Sequence, residues 1–205
     1  MWEDTDMKKL IFSAIAALLA TGASANVVPV LIGNAPTAVG SLFRYDYSAT
    51  LDADQSSTTG SYFTIYDFNG FSSFGNLPAN FSGSTALLGQ TPGNVLPTDS
   101  GSVLNVTFTY NGTAPINPGV NGGQGTSTEL GTFSVFSTIG TLRSTNFTGL
   151  MTKNNGAQAG TTIANIGQVT APGAVPEPAT WGLMLVGFGM VGTAVRRRHT
   201  GVVTA

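Results

Sequence analysis

The chain has 205 residues, of which 27 are Gly, 10 are Pro and none is Cys, and only 9% are charged. The absence of cysteine excludes a disulfide framework, thiol chemistry and a Cys-based metal site. A formal net charge of −2, with no basic patch, removes the electrostatic basis for nucleic-acid binding.

Taken in order, the chain opens with an acidic preface, Met1 to Asp6, and then begins again at Met7-Lys8-Lys9. Lys8 and Lys9 form a basic n-region. Leu10 to Ala20 form a short apolar h-region, and Ala23-Ser24-Ala25 supplies the small residues of a cleavage site. This is the pattern of a secretory signal peptide over residues 1–25, with position 7 as the expected start and signal peptidase cutting after Ala25. Eleven apolar residues are too few to span a bilayer.

The mature region from residue 26 to 175 suits a single domain. It holds three cations, Arg44, Arg143 and Lys153, against six acids, Asp46, Asp52, Asp54, Asp67, Asp99 and Glu129, for a net charge of −3. From Ser41 to Asp52 the residues alternate. Phe43, Tyr45, Tyr47, Ala49 and Leu51 share one face, which is the period of a half-buried strand. Ser61 to Phe68 is dense in aromatic and β-branched residues and predicts a second strand, closed by Asn69-Gly70. Residues 75–101 carry Pro78, Pro92 and Pro97 and read as a long connection with one short edge strand near Ala86–Leu88. Val103 to Tyr110, Leu130 to Thr138, Ser144 to Thr152 and Ile163 to Thr170 complete the strands, so residues 40–170 carry every predicted one. The expectation is an all-β domain over 26–170, an antiparallel β-sandwich, followed by a linker at 171–175.

Chemistry is sparse. The single His, His199, lies beyond the C-terminal arginines, so no Ser-His-Asp arrangement can form in the body. Paired carboxylates remain as candidates for a glycan-active enzyme, with Asp67 and Glu129 as the residues to test. Asp52-Ala-Asp54-Gln-Ser56 opens like a calcium loop, but Ser57 and Phe63 stand where an EF-hand needs Gly and Glu. An Asx-rich turn explains it as well. No metal or cofactor is expected, and no catalytic residue. Tyr45, Tyr47, Tyr62 and Tyr66 offer rings for sugar stacking, or plain core.

The C-terminal tail is the most informative stretch. Val175-Pro176-Glu177-Pro178-Ala179-Thr180-Trp181 leads into an uncharged run to Val195, and Arg196-Arg197-Arg198 follows. Pro176 and Pro178 disfavour helix at the residues before them, so Glu177 is expected extended and a helix begins at about Pro178. Residues 179–195 as a helix reach about 26 Å at roughly 1.5 Å per residue. That is nearly a hydrocarbon core of about 30 Å, with Trp181 and the arginines as interface anchors. The expectation is a single transmembrane helix with Arg196, Arg197 and Arg198 held cytoplasmic as a membrane stop. Gly187-Phe-Gly-Met-Val-Gly192 has the spacing of a dinucleotide loop. It lacks the preceding strand and the ribose-binding acid, and small residues in such a helix serve packing.

The order Pro176, Glu177, Pro178, Trp181, then Met184, Gly187, Phe188, Gly189 and the arginine cluster resembles the PEP-CTERM sorting signal of Gram-negative bacteria. Over residues 176–200 the resemblance implies recognition by exosortase, a membrane-embedded cysteine transpeptidase. It implies an exported protein, held briefly in the inner membrane and then released to the cell surface or beyond. It also implies a link to extracellular polysaccharide and biofilm. The function expected is a non-enzymatic surface or matrix protein. A secreted carbohydrate-binding module and a carboxylate-based glycan-active enzyme stand as alternatives.

Overall fold

A computed structural model describes residues 26–118, 126–173 and 178–199. In chain order the strands are β1 (Val27–Leu31), β2 (Thr37–Val39), β3 (Leu42–Leu51), β4 (Gln55–Ser56), β5 (Tyr62–Ile65), β6 (Phe71–Phe74), β7 (Phe81–Ala86), β8 (Asn105–Tyr110), β9 (Thr128–Ser137), β10 (Leu142–Lys153) and β11 (Thr162–Pro172). A helix, α1, covers Pro178–His199. The expected signal peptide, with Ala23 and Ala25, lies outside the described residues.

Two antiparallel sheets face each other. One runs β1-β3-β9-β6 with β2 beside β3; the other runs β11-β10-β5-β8-β7 with β4 beside β10. The alternation in β3 sets the first sheet. Tyr45, Tyr47, Ala49 and Leu51 are fully buried, while Arg44, Asp46, Ser48 and Thr50 turn outward and are half-buried. Between the sheets, Phe133 of β9 meets Phe63 and Phe108 of the other sheet, each pair with centroids 5.0 Å apart. These edge-to-face contacts add to the area burial that drives the packing. The tyrosine hydroxyls reach main-chain acceptors: Tyr45 donates to Ile139 O at 2.8 Å and Tyr47 to Thr170 O at 2.9 Å. A buried phenol needs such a partner.

Three expectations change. First, residues 26–40 are not a lead-in. β1 pairs with β3 over five positions, and Val27 and Leu31 enter the core. Asn26 donates its side-chain amide to Ile163 O, and Asn165 Nδ2 donates to Val27 O at 2.8 Å. These bonds tie the start of the body to β11 of the opposite sheet. Second, the strand expected to reach Phe68 stops at Ile65, because Asp67 takes a left-handed φ of 49°. Asp67 N turns to Asn105 Oδ1 at 2.6 Å.

Third, β6 ends just before the long connection, the connection itself contains β7, and the stretch after β7 lies over the outer face of the six-stranded sheet. Thr64 Oγ1 donates to Gln90 O at 2.9 Å, and Tyr66 donates to the same carbonyl at 3.0 Å. Asp99 accepts from Gly89 N at 2.9 Å and from Asn105 Nδ2 at 2.9 Å. Asp67 Oδ1 accepts from Ser100 N at 2.9 Å. The Thr64, Thr107 and Thr148 face is therefore buried beneath polar main chain. A methyl group at Gly89 would stand 2.4 Å from Tyr66 Cε1, so only glycine lets this cover settle.

Candidate functional site

The tail is joined to the body by a short span. β11 continues to Pro172, two residues into the stretch expected as linker. Gly173 N then donates to Thr141 O at 3.0 Å, and Thr141 Oγ1 donates back to Gly173 O. Only residues 174–177 separate this anchored glycine from Pro178, the first residue of α1. Four residues reach at most about 14 Å. Pro176 and Glu177 lie outside the described residues. Pro178 sits where proline is tolerated, in the first turn, since its missing N–H would be unpaired there.

α1 spans 22 residues, about 33 Å at roughly 1.5 Å per residue. Trp181 falls in its first turn and Arg196, Arg197 and Arg198 at its C-terminal end, where cations favour the helix dipole. Leu183, Leu185, Phe188, Met190 and Val191 are all more than 60% exposed, so the apolar side chains find no partner on the body. The expected membrane span at 179–195 is thus helical. However, among the described residues no helix is long and apolar enough to cross a membrane.

On the body, the outer face of the five-stranded sheet carries a cleft of about 460 Å³. Its floor comes from cross-strand pairs of β3 and β9, Arg44 opposite Phe136 and Asp46 opposite Ser134. Asp46 Oδ2 accepts from Arg44 Nε at 2.9 Å, and Asp46 Oδ1 accepts from Ser134 Oγ at 2.6 Å. Nothing in the sequence singled out these residues. The one available signal was Arg44, a rare cation on the outward face of a strand.

The other candidates occupy structural positions. Asp67 is paired with Arg143 Nη2 at 3.0 Å and is nearly buried. Glu129 lies on β9 opposite Thr50 of β3 in the five-stranded sheet, whereas Asp67 follows β5 of the six-stranded one, so the two carboxylates proposed for hydrolysis are not brought together by any shared strand pairing. Asp54 is held by Lys153 Nζ and Gln55 Nε2. Burial alone would raise its pKa; the bonds from Lys153 and Gln55 outweigh that and lower it. Among the described residues no group of three or more His, Cys, Asp or Glu side chains is placed to hold a metal ion. Tyr45, Tyr47, Tyr62 and Tyr66 are at most 3% exposed. They are core, and the stacking platform envisaged from them is overturned.

Residues 174–198 match the PEP-CTERM protein-sorting motif. No curated protein and no solved structure matches the chain. The motif implies an exported protein with exosortase as its processing partner, as in Gram-negative bacteria.

Proposed function

We propose that the chain is a non-enzymatic surface or matrix protein whose β-sandwich is delivered across the inner membrane and then released from α1 by exosortase. Signal peptidase cleaves after Ala25. The apolar run 179–195 holds the chain at the membrane, with Arg196, Arg197 and Arg198 retained inside by the cost of transferring charge, roughly 2.5 to 3.5 kcal/mol per Arg at the centre of a helix. Pro176, Glu177, Pro178 and Trp181 form the recognised signal. The body then joins the extracellular polysaccharide or biofilm layer.

The observation that carries this reading is the sorting motif itself, which begins directly after Gly173, the hydrogen-bonded end of the body, and continues into a helix whose described apolar side chains are exposed. Replacing Pro176 and Pro178 with Ala frees the upstream residues for helix, and Glu177→Ala removes the only charge there. Both variants should cross the membrane and accumulate unprocessed in the inner-membrane fraction of an exosortase-positive strain. Processing of these variants at the wild-type rate would refute the assignment of the signal.

A further inference from the structure

We infer that the cleft between β3 and β9 on the outer sheet face binds a neutral saccharide unit. This deepens the reading above and rests on it only for the setting in which a polysaccharide is met. The body has three cations. Arg143 and Lys153 are committed to ion pairs with Asp67 and Asp54. Arg44 is different: it engages Asp46 through Nε only, its side chain is 40% exposed, and its two Nη groups make no hydrogen bond among the described residues. Asp46 in turn spends one lone pair of each oxygen on Arg44 and Ser134 and keeps the others. The cleft therefore sets fixed donors beside fixed acceptors with no net charge.

That pattern selects a chemistry. Each hydroxyl of a vicinal diol is both donor and acceptor, so one ligand edge answers the guanidinium and the carboxylate together. A phosphate or carboxylate ligand meets Asp46, and a cation meets Arg44. Phe136 supplies an apolar wall for the C–H face of a sugar ring.

The cleft is also preformed. Gly75 N donates to Ser134 O at 2.8 Å, and Ser134 N donates to Asn76 O at 2.9 Å, which lays the 75–76 segment along β9. A Cβ at Gly75 would come within 2.8 Å of Ser134 Cβ and 3.1 Å of the Phe136 ring. A wall set by backbone needs no ordering when a ligand arrives. The volume of about 460 Å³ lies within the range of small-molecule sites, roughly 300–1,000 Å³. A larger depression of about 580 Å³ beside Tyr62 and Gln90 holds no charged side chain and lacks this donor–acceptor pair.

The test is affinity electrophoresis of the purified full-length chain in non-ionic detergent. The gels contain a neutral galactomannan, a neutral β-glucan or anionic polygalacturonate. The wild type should be retarded by at least one neutral polymer. Arg44→Gln and Phe136→Ala should each weaken that retardation by about tenfold in apparent Kd, and Ser48→Ala should leave it unchanged. Thr132→Trp fills the exposed rim of the cleft without touching the Arg44–Asp46 pair, and should block binding even if the other variants melt early. Retardation by polygalacturonate alone, no retardation by either neutral polymer, or equal retardation of the wild type, Arg44→Gln and Thr132→Trp would each overturn the assignment. Arg44→Gln should be processed by exosortase like the wild type. Lost binding with normal processing therefore counts against the cleft alone, and lost wild-type processing with normal binding counts against the sorting reading alone.

Discussion

The Asp67 carboxylate faces the Arg143 guanidinium, Oδ2 to Nη2 at 3.0 Å, and so ties the left-handed turn after β5 to the start of β10. Asp67 is 9% exposed at its side chain and Arg143 is 37% exposed, so the pair lies between a surface bridge and a buried one. Surface pairs contribute about 0–1 kcal/mol, and breaking a buried pair costs roughly 3–5 kcal/mol. Arg143→Ala should cost about 2 kcal/mol, read from the urea midpoint. Asp67→Asn should cost about 1 kcal/mol, because Asn keeps the acceptor for Ser100 N and tolerates the left-handed φ. Asp67→Ala should cost more than Asp67→Asn.

The first strand is part of the folding unit. A body fragment of residues 26–173 should give a β-rich circular dichroism spectrum and a cooperative melt. The 40–170 fragment lacks β1 and β2 and ends two residues short of the end of β11. Losing buried Val27 and Leu31 alone removes about 3–6 kcal/mol, against a whole-domain stability of roughly 5–15 kcal/mol. The shorter fragment should aggregate or remain unfolded; a melt matching that of 26–173 would show that β1 is dispensable.

Gly149 of β10 lies under the entry of β1. A Cβ there would stand 2.2 Å from Val27 Cγ1 and 2.6 Å from Asn165 Oδ1. Gly149→Ala should destabilise by about 1–3 kcal/mol, the usual cost of overpacking. Hydrogen exchange should show the loosening concentrated in residues 26–31.

Tyrosine ionisation should be coupled to unfolding. Burial pushes Tyr45 and Tyr62 up to about 12, and it raises Tyr47 and Tyr66 as well. A phenol whose pKa is raised by folding stabilises the native state fully below its unfolded value of about 10. That stability is lost as pH rises through the folded value. Tyrosinate absorbance should therefore lag a free-tyrosine curve and rise together with loss of β-structure between about pH 10 and 12. Four tyrosines titrating near pH 10 in a still-folded chain would contradict the burial described.

How much was legible depended on periodicity. β3 announced itself because Tyr45, Tyr47, Ala49 and Leu51 alternate with polar residues, and period two is what a one-sided strand requires. β1 did not, because Val27-Val28-Pro29-Val30-Leu31 is continuously apolar, although alternate side chains are the buried ones once it pairs with β3. The cover at 87–104 was unreadable for another reason. It is held by Asp67, Asp99 and Asn105 side chains bonded to main chain, and such contacts leave no hydrophobic pattern. The tail was legible because its signal is local, an ordered run of residue types from Pro176 to Arg198. The cleft was not, because Asp46 and Ser134 are 88 positions apart in the chain and meet only through strand register.

The most direct measurement is the intact mass of the exported protein from strains with and without exosortase. With exosortase, the chain should begin at Asn26 and end near Pro176–Pro178, without His199. Without exosortase, it should retain the sequence through Ala205 and stay with the inner membrane. A mass that includes Ala205 in both strains would contradict the account and leave the tail as a permanent anchor.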